Sequence, residues 1–379
     1  MAPTKNVVII GSHGGAHAIR AIEKSLPANV RLILIEKNDY AFYPPAALRA
    51  SVAPGQEDLV FADLKGTFPK DSKHVVLTST EVTALHEKSV TINKDFEGSN
   101  EIPFEYAILA TGATYAKPSR PAGSTKDEVR AAFKKQQEEV KKAQSILVVG
   151  GGPVGVEFVG EVMALYPQKK VTLVSRSSSL IDGIKPAVGQ KLVGILKQSK
   201  SVDLKLGTSI ELPSDIPSAS LLPQARQVSL SDGTQVETDF VLVATGGKPN
   251  TTLVAQSGYK SAINDRGAIK VDPKTLRVLD PKLGFYFGLG DCTDAPGTKT
   301  TVSIQSQAPV VASQINSLLQ GKGKAGKLYK EGPEIMLVSY GPNNGAGVLM
   351  GWSLPSFAAT AMKSKGLFVS GFRALYNKA

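Results

Sequence analysis

Two stretches of the sequence decide the fold, Val7-Val8-Ile9-Ile10-Gly11-Ser12-His13-Gly14-Gly15-Ala16 and Ile146-Leu147-Val148-Val149-Gly150-Gly151-Gly152-Pro153-Val154-Gly155. In each stretch, an apolar run with the composition of a buried strand enters a glycine-rich turn. The next apolar run closes 25 residues after the first glycine of each copy, at Glu36 and at Ser175. This spacing is typical of the strand, turn and helix unit that holds a dinucleotide, and its duplication predicts two such units.

Each unit also closes with the same tripeptide after a further apolar run. Ala110-Thr111-Gly112 closes the first unit, and Ala244-Thr245-Gly246 closes the second. One glycine motif is weak evidence of nucleotide binding, but two copies in matching register with matching closures are strong evidence. We therefore expect a protein that passes electrons between two bound nucleotides.

Copy two has every glycine that a phosphate cradle needs. Gly150 allows the tight turn, Gly152 lets a pyrophosphate approach the backbone, and Gly155 lets the helix pack closely on the strand. The bound phosphates then lie at a helix N-terminus, whose free N–H groups and partial positive charge favour an anion. Pro153 and Val154 complete the predicted binding turn.

Copy one matches the cradle spacing less well. After Gly11, the second position is His13 and the third is Ala16, so two of the three glycines are replaced. We expect Gly14 and Gly15 to supply permissive backbone in their place. Copy one is therefore a degenerate cradle that we still expect to bind a dinucleotide.

The residue after the second strand of each unit distinguishes the two nucleotides. Glu36, followed by Lys37, can accept hydrogen bonds from both ribose hydroxyls of FAD. Ser175 has no carboxylate to repel a 2′-phosphate, and Arg176 can pair with one. We predict FAD in the first unit and NADPH or NADH in the second, with little discrimination between the two but a lean toward NADPH. The alternative is that Arg176 is only a solvated loop residue.

A third element points back to the first unit. The apolar run 285–289 ends in Gly290 and Asp291, and an aspartate at a strand end can hold the ribityl or phosphate part of FAD. A helix from about Val302 is expected to direct its N-terminus toward the flavin ring. The backbone of the predicted strand at Val82 is placed to meet the adenine.

The pattern of elements predicts an α/β protein with two Rossmann-like dinucleotide-binding domains, in which the NAD(P)H domain is inserted into the FAD domain. We assign residues 1–119 and 252–329 to the FAD domain and residues 120–251 to the NAD(P)H domain. Residues 330–379 form a small α+β C-terminal piece that closes over the flavin. It is predicted to contain strands at 335–340 and 347–352, followed by a helix.

Composition excludes several classes of protein. No apolar stretch reaches the roughly 18 residues of a membrane span, and we expect no signal peptide, transit peptide or, with Ala2, N-myristoylation site. Cys292 is the single cysteine, which rules out a disulfide framework and favours a reducing compartment. We expect a cytoplasmic protein, with peripheral membrane association as an alternative.

The same residues limit the chemistry. A thiol relay needs two cysteines near the flavin, and the four histidines lack the spacing of metal ligands, so we predict no metal site. Electrons must therefore leave the flavin for something diffusible, which is a quinone, oxygen or a protein partner.

Four further segments occur in an order that resembles a known family, namely residues 46–52, 149–157, 290–292 and 363–370. The chain is similar to the apoptosis-inducing-factor-like, ferroptosis-suppressor family, which is related to type II NADH dehydrogenases. The similarity extends from Val7 to about Phe372. It implies FAD, NAD(P)H and the reduction of membrane quinones such as ubiquinone and vitamin K. Ala2 departs from the lipid-attached vertebrate members.

The resemblance also implies roles for individual residues. Glu157 matches the family's glutamate that faces the nicotinamide, and Lys363 matches its lysine that approaches the flavin. A fixed ammonium there would stabilise the negative charge that develops during reduction. Apart from the resemblance, the loop 40–45, which contains Tyr43 and Pro44, and the helix that contains Arg49 are expected to line the flavin.

Charge is concentrated at the C-terminus. The chain carries a net charge of +11, and no Asp or Glu occurs from Ile335 to Ala379. Phe368, Phe372, Leu375 and Tyr376 fall at helical spacing beside basic residues, so this segment could lie on an anionic membrane surface. The alternative is that these side chains dock on the protein's own core or on a second subunit, as in a homodimer.

The leading hypothesis is an FAD-dependent NAD(P)H:quinone oxidoreductase. A reductase of a small iron–sulfur protein and an NAD(P)H oxidase are alternatives with the same chemistry. A different class is a redox-gated nucleic-acid-binding protein of the apoptosis-inducing-factor type. No basic run with interleaved aromatic residues occurs, which disfavours a nucleic-acid partner.

Overall fold

The first sheet carries the first glycine-rich turn. The structure, a computed structural model, describes residues 5–321 and 326–378, so Ala2 lies outside the described residues. The strands of this sheet are all parallel and lie in the order Tyr286–Gly288, Tyr106–Leu109, Lys5–Ile10, Val30–Ile35 and Val75–Leu77. After Lys5, every residue of the central strand is buried, as expected of a parallel sheet with both faces covered.

The second sheet repeats this arrangement. Its strands lie in the order Val202–Leu206, Lys170–Ser175, Ser145–Val149, Gln235–Val243 and Ser220–Ser229, and only the last pair is antiparallel. In both sheets, the strand before the glycine-rich turn lies between the second strand of its unit and the strand that leads to Ala-Thr-Gly. The predicted α/β fold with two Rossmann-like units is confirmed.

Short strands and helices connect the two sheets. The ribbon of Ala113–Thr114 with Lys248–Pro249 joins the segments on either side of the second unit. The first unit also contains a meander of Val82–Leu85, Ser89–Phe96 and Ser99–Pro103, and the strand pair Ala41–Phe42 with Phe61–Ala62. The helices up to residue 321 are Ser12–Ile22, Ala47–Val52, Lys126–Lys142, Pro153–Leu165, Pro186–Leu196, Thr252–Gln256 and Thr301–Gln320. None of the helices in the described ranges has the length and apolar character needed to cross a membrane.

The two glycine-rich turns share their first glycine but differ in length. Gly11 has φ +99° and Gly150 has φ +127°, and a Cβ on either would clash with the carbonyl oxygen of the alanine in Ala-Thr-Gly. The first cradle helix, Ser12–Ile22, begins directly after Gly11, whereas the second cradle helix, Pro153–Leu165, begins three residues after Gly150. Glycine is required at both positions, and the first turn is the shorter one.

The shorter turn moves the cradle residues of copy one by one position. A Cβ on Gly15 would lie 2.6 Å from Cγ2 of Ile9, and a Cβ on Gly155 would lie 3.3 Å from Cγ1 of Val148. Ile9 and Val148 occupy the same place in their strands, so Gly15 is the counterpart of Gly155. The expectation that Ala16 takes the third glycine position is wrong, because Gly15, one residue earlier, is the residue that faces Ile9 of the strand.

The predicted permissive backbone at Gly14 and Gly15 is also wrong. Both residues lie inside the first cradle helix and neither has a positive φ. A Cβ on Gly14 would lie 2.6 Å from Cδ1 of Leu289, so both glycines allow close packing. By the same one-residue shift, Ser12 rather than His13 takes the position of the middle glycine.

The C-terminal piece contains an antiparallel sheet of Ile335–Tyr340, Asn344–Leu349 and Trp352–Leu354. The predicted strand 347–352 is therefore misplaced, since the second strand begins at Asn344 and a third strand follows. Met350 and Gly351, both with positive φ, form the turn between the second and third strands. The helix Ser356–Ala359, a π-helical turn at Thr360–Ser364 and the helix Val369–Ala374 follow.

Two aromatic residues of the C-terminal segment, Phe372 and Tyr376, do not form a free surface. Phe372 and Tyr376 are each 4% exposed. The Phe372 ring stacks on Tyr43 at 4.6 Å between centroids, and the Tyr376 hydroxyl donates to the Ser12 carbonyl at 2.9 Å. The expectation that this segment lies on a lipid surface is wrong for these side chains, because they pack on the protein's own first cradle.

The second cradle helix crosses the C-terminal sheet at a glycine. A Cβ on Gly160 would lie 2.5 Å from the Cα of Tyr340 and would clash with the backbone nitrogen of Gly341. Both neighbours are backbone atoms, which cannot rotate away. The close approach of this helix to the strand Ile335–Tyr340 therefore depends on glycine at position 160, which has no side chain.

We expect Gly160→Ala to lower the free energy of unfolding by about 1–3 kcal/mol, because the added methyl overpacks a backbone contact. Gly194→Ala is the matched control, since Gly194 lies in the helix Pro186–Leu196 and its Cβ would meet nothing within 4 Å. The control should gain about 0.4–1 kcal/mol. Urea denaturation of both variants measures the difference, and equal stability of Gly160→Ala and the parent protein would contradict the crossing contact.

Candidate functional site

One continuous cavity of about 1740 Å³ lies within the described part of the chain, between the two sheets and the C-terminal piece. Residues at the carboxyl ends of strands from both sheets line it, which is where α/β sheets bind their ligands. The cavity extends from Glu36, beside the first cradle, to Arg176, beside the second. It is larger than the roughly 300–1,000 Å³ of common small-molecule pockets, which suits two extended ligands.

Most of the residues that the sequence predicts to bind cofactors line this cavity. From the first unit they are Gly11, His13, Gly14, Glu36, Lys37, Val82, Ala110, Thr111, Gly112 and Asp291. From the second unit they are Gly150, Gly152, Pro153, Val154, Glu157, Ser175, Arg176 and Gly246. Pro44 and Lys363 line it as well, so the fold brings together residues far apart in the sequence.

Glu36 lies at the edge of the first cradle. Its Oε2 accepts a hydrogen bond from the Ser12 backbone N–H at 2.9 Å, and its Oε1 accepts one from the Asn38 N–H at 3.2 Å. An ionised carboxylate can accept about four hydrogen bonds. Acceptor capacity therefore remains for the two hydroxyls of a ribose.

Asp291 lies on the wall beside the helix Thr301–Gln320. The Tyr115 hydroxyl donates to Asp291 Oδ2 at 2.8 Å, which fixes the carboxylate. Thr300 caps the helix by accepting a hydrogen bond from the Ser303 N–H, and Thr301 lines the cavity at the first turn. This helix end favours negative charge, so the wall can stabilise an electron-rich ring.

His13 and His17 lie one turn apart on the first cradle helix and both line the cavity. The His13 ring lies 5.6 Å from Tyr43 and 5.7 Å from Phe372 between centroids. Burial lowers the pKa of His13 to about 3 and that of His17 to about 4, so both imidazoles are neutral at pH 7. Neither Nε2 has a hydrogen-bond partner among the described residues.

The second cradle offers space beside its middle glycine. A Cβ on Gly152 would meet nothing within 4 Å, and its φ of −77° is open to any residue. No protein neighbour therefore requires glycine there. Ser175 is buried at the cavity wall, whereas Arg176 is exposed and has no ion-pair partner within residues 5–321 and 326–378.

Glu157 and Lys363 meet in the middle of the cavity wall. Lys363 Nζ donates to Glu157 Oε1 at 2.6 Å and to the Leu337 carbonyl at 2.7 Å. The Ser339 N–H donates to the same carboxylate oxygen at 3.0 Å. An ammonium has three N–H donors, so one remains for a bound ligand. Lys363 is therefore paired with Glu157, a contact that the sequence did not predict.

Three of the predicted cofactor-binding residues do not line the cavity. Gly15 and Gly155 pack their helices against the sheets. Arg49 is buried and its guanidinium is occupied by Glu161, with Nη2 to Oε1 at 2.8 Å. The prediction that Arg49 contacts the cofactor is wrong, because its side chain points to the second cradle helix instead.

Three further residues of the wall are Tyr43, Tyr115 and Lys299. Tyr43 belongs to the loop that was expected to line the flavin, whereas the sequence analysis missed Tyr115 and Lys299. Burial lowers the pKa of the Lys299 amine, and burial raises the pKa of Tyr43 with a further contribution from nearby Glu157. Lys299 lies two residues before the helix that begins at Thr301, and this position was the signal available in the sequence. Nothing in the sequence identified Tyr115.

The residues present fit two dinucleotides. A side chain at position 152 would fill the open space of the second cradle, which glycine leaves free. The counterpart position in the first cradle is occupied by Ser12, whose side chain is small. The orphaned Nε2 atoms of His13 and His17 add polar groups without a protein partner at the first cradle. Buried polar groups are normally hydrogen-bonded, and a bound dinucleotide would supply polar partners at these positions.

Comparison with known proteins agrees with this geometry. Residues 5–311 match the model of the family described as pyridine nucleotide-disulphide oxidoreductase. Ferroptosis suppressor protein 1 of Mus musculus is 30% identical over 368 residues, which cover 96% of this chain and 94% of the relative. Apoptosis-inducing factor homolog A of Dictyostelium discoideum is 30% identical over 395 residues, with 98% and 92% covered.

Solved structures share the fold at lower identity. NDH2 from Plasmodium falciparum in complex with NADH superimposes with a TM-score of 0.73 at 14% identity, covering 98% of this chain and 97% of that one. The reduced CoADR-RHD of Bacillus anthracis gives a TM-score of 0.68 at 20% identity, covering 91% and 61%. Both likenesses concern the fold alone.

The duplicated cradle, the cavity between the two units and the family match lead to one identification. The chain belongs to the pyridine nucleotide-disulphide oxidoreductase family, among the relatives of ferroptosis suppressor protein 1 and the apoptosis-inducing factor homologs, and it is an oxidoreductase that uses FAD and NAD(P)H.

Proposed function

We propose that the protein transfers electrons from NADPH to FAD and from there to a quinone, without a cysteine relay. The observation that carries this proposal is the Glu157–Lys363 pair in the wall between the two cradles of one cavity. A pair placed there would face both nucleotides, because the two cradles open into the same cavity. The resemblance to quinone-reducing flavoproteins supports the choice of acceptor.

The chain's own residues bind, orient and stabilise charge. Gly11, Glu36 and Asp291 would hold FAD, and Gly150 and Gly152 would hold the pyridine nucleotide. Bound FAD supplies the ability to accept two electrons from NAD(P)H and to pass them on. Pro44 would lie against the flavin and restrict water.

Glu157 would bind the nicotinamide, and Lys363 would stabilise the charge that develops on the flavin. Glu157 Oε1 already accepts hydrogen bonds from Lys363 and from the Ser339 N–H, which leaves Oε2 to accept from the nicotinamide amide. The third N–H of the Lys363 ammonium would donate to the ring that gains negative charge. Preorganised donors of this kind need no rearrangement as charge develops.

The lone cysteine supports a diffusible acceptor. Cys292 is buried, does not line the cavity, and is hydrogen-bonded to the Leu109 and Leu289 carbonyls. Burial raises the pKa of its thiol, so the reactive thiolate is disfavoured. A disulfide relay also needs a second cysteine, which the sequence lacks.

The visible spectrum of the purified protein tests the whole proposal. We expect a flavin band that NADPH bleaches and that a short-chain ubiquinone or a vitamin K analogue restores. Restoration only by oxygen would indicate an NAD(P)H oxidase, and restoration only by a small iron–sulfur protein would indicate a reductase of that protein. A preparation that lacks flavin but retains DNA in a salt-dependent way would favour the nucleic-acid-binding alternative.

We expect Lys363→Ala to slow flavin reduction by NADPH roughly 100-fold to 1,000-fold, the usual effect of removing one preorganised donor to developing charge. Rapid-mixing absorbance measures the rate, after the flavin content is shown to equal that of the parent. Lys365→Ala is the control, since Lys365 is two residues away, exposed and outside the cavity. Full turnover by Lys363→Ala with FAD bound would remove this residue from the mechanism.

Arg176 is proposed to select NADPH through its 2′-phosphate. We expect Arg176→Ala to lower kcat/KM for NADPH about 10-fold to 100-fold, since a hydrogen bond to a charged group is worth about 1.5–3 kcal/mol. The value for NADH should stay within twofold. Arg226→Ala, which removes an arginine paired with Asp215 outside the cavity, is the control. An unchanged preference between the nucleotides would return Arg176 to the role of a solvated loop residue.

We also propose peripheral binding to an anionic membrane, through a surface that shares only Phe368 with the one predicted. Trp352 and Phe357 are 78% and 77% exposed, and Met350 is exposed beside them. Lys185 and Lys191 donate hydrogen bonds to backbone carbonyls of the same hairpin, at 2.8 and 2.9 Å. Exposed aromatic side chains next to lysine residues are suited to binding the surface of an anionic membrane.

Two exposed apolar residues of the C-terminal piece also belong to the cavity wall. Met362 and Phe368 are exposed and line the cavity, so apolar side chains reach from the cavity to the protein surface. A quinone dissolved in a bilayer could then reach the cavity without crossing water. We call the five residues Met350, Trp352, Phe357, Met362 and Phe368 the C-terminal apolar surface.

We expect Trp352→Ser with Phe357→Ser to reduce co-sedimentation with vesicles that contain phosphatidylserine at least fivefold, because each side chain contributes about 1.5–3 kcal/mol of burial. Leu279→Ser is the control, since Leu279 is exposed outside this surface. Equal sedimentation of the double variant would refute the lipid assignment. If the double substitution instead converts a dimer to a monomer, the surface is a subunit interface.

A further inference from the structure

Arg49 joins three parts of the chain that are distant in sequence. It lies on the helix Ala47–Val52, and its Nε donates to Glu161 Oε1 at 3.0 Å and to Oε2 at 3.1 Å. Its Nη2 donates to the Ser364 carbonyl at 2.6 Å, and its Nη1 to the Lys365 carbonyl at 3.0 Å. The guanidinium thus holds the second cradle helix and the C-terminal piece at once.

The two carbonyls that Arg49 holds directly follow Lys363. Lys363 lies in the π-helical turn Thr360–Ser364, and such turns interrupt the regular backbone ladder, frequently at functional sites. The Ser364 hydroxyl donates to the Asn344 carbonyl at 2.7 Å, which ties the same residue to the C-terminal sheet. The backbone next to Lys363 is therefore fixed from two sides.

Glu157 and Glu161 are four residues apart and share one face of the second cradle helix. One pairs with Lys363 and the other with Arg49. Glu161 alone would satisfy the charge of Arg49. The bonds to the two carbonyls add a geometric constraint, because a guanidinium is a rigid fork of donors.

We propose that Arg49 is a positioning residue that holds Lys363 at Glu157 in the cavity wall. This inference rests on the proposed function only for its effect on turnover, because the position of Lys363 can be measured by itself. A lysine at position 49 keeps the charge but cannot reach Glu161 and two carbonyls together.

Amine acylation of the FAD-bound protein measures the position of Lys363 without reference to activity. We expect Arg49→Lys to raise the labelling rate of Lys363 by acetyl N-hydroxysulfosuccinimide about tenfold or more, because hydrogen bonds to a charged group are lost. Lys169 is the internal control, since it is buried and donates to the Lys141 and Ala143 carbonyls away from Arg49. Unchanged labelling of Lys363, or an equal rise at Lys169, would overturn the proposal.

A double-mutant cycle then tests whether Arg49 acts through Lys363. Arg49→Lys should slow flavin reduction by NADPH roughly 10-fold to 100-fold, as expected of a misplaced group. In the Lys363→Ala background the same substitution should have less than a twofold effect, because its target is gone. Equal slowing in both backgrounds would show a general structural role and would overturn the proposal. Full activity of Lys363→Ala alone would count against the proposed function and leave the labelling result to decide the position.

A second variant guards against loss of folding. Removing one partner of a buried ion pair leaves an uncompensated charge, whereas replacing both by apolar residues of similar size is often neutral for stability. Arg49→Met with Glu161→Met should therefore fold, bind FAD and release the backbone after Lys363. We expect it to raise the labelling rate of Lys363 as Arg49→Lys does. A folded double variant in which Lys363 stays protected from labelling would contradict the positioning role of Arg49.

Discussion

The second cradle helix, Pro153–Leu165, holds the assembly together through one of its faces. Glu157 pairs with Lys363, Gly160 lets the strand Ile335–Tyr340 pass at backbone distance, and Glu161 pairs with Arg49. Buried ion pairs add little net stability compared with apolar replacements, but losing one partner costs about 3–5 kcal/mol. Their value here is geometric, because each pair fixes a different part of the chain against the same helix.

This arrangement explains why the proposed chemistry lies at a junction rather than inside one unit. The two Rossmann-like units each supply a cradle, and the second unit also supplies Glu157 to the wall between them. Lys363 comes from the C-terminal piece and reaches the cavity because the π-helical turn at Thr360–Ser364 is held by Arg49 and by Asn344. Closure of the cavity on its other side comes from Phe372 and Tyr376, which pack on the first cradle. The C-terminal piece therefore completes the site as well as covering it.

The duplicated motif was sufficient for the fold because a buried parallel strand and its glycine turn are local features with few alternatives. Copy one shows the limit of that reasoning, since spacing alone placed Ala16 in the third position and contact with Ile9 placed Gly15 there. A missing turn residue changes which side chain meets the strand, and no local signal reveals it. The C-terminal aromatic residues were ambiguous for a related reason, because helical spacing defines a shared face and leaves open what covers that face.

The sequence by itself determined the two dinucleotide units, their order and the residues that end each strand, because these depend on apolar periodicity and glycine geometry within about 40 residues. It also determined that a cysteine pair is absent. Only the tertiary structure decided that Arg49 binds Glu161 and the C-terminal backbone, and that Lys363 pairs with Glu157. It also decided that Trp352 and Phe357 face outward. These outcomes depend on which distant surfaces meet, and a charged or aromatic side chain has the same local propensity whether it binds a ligand, a partner residue or solvent.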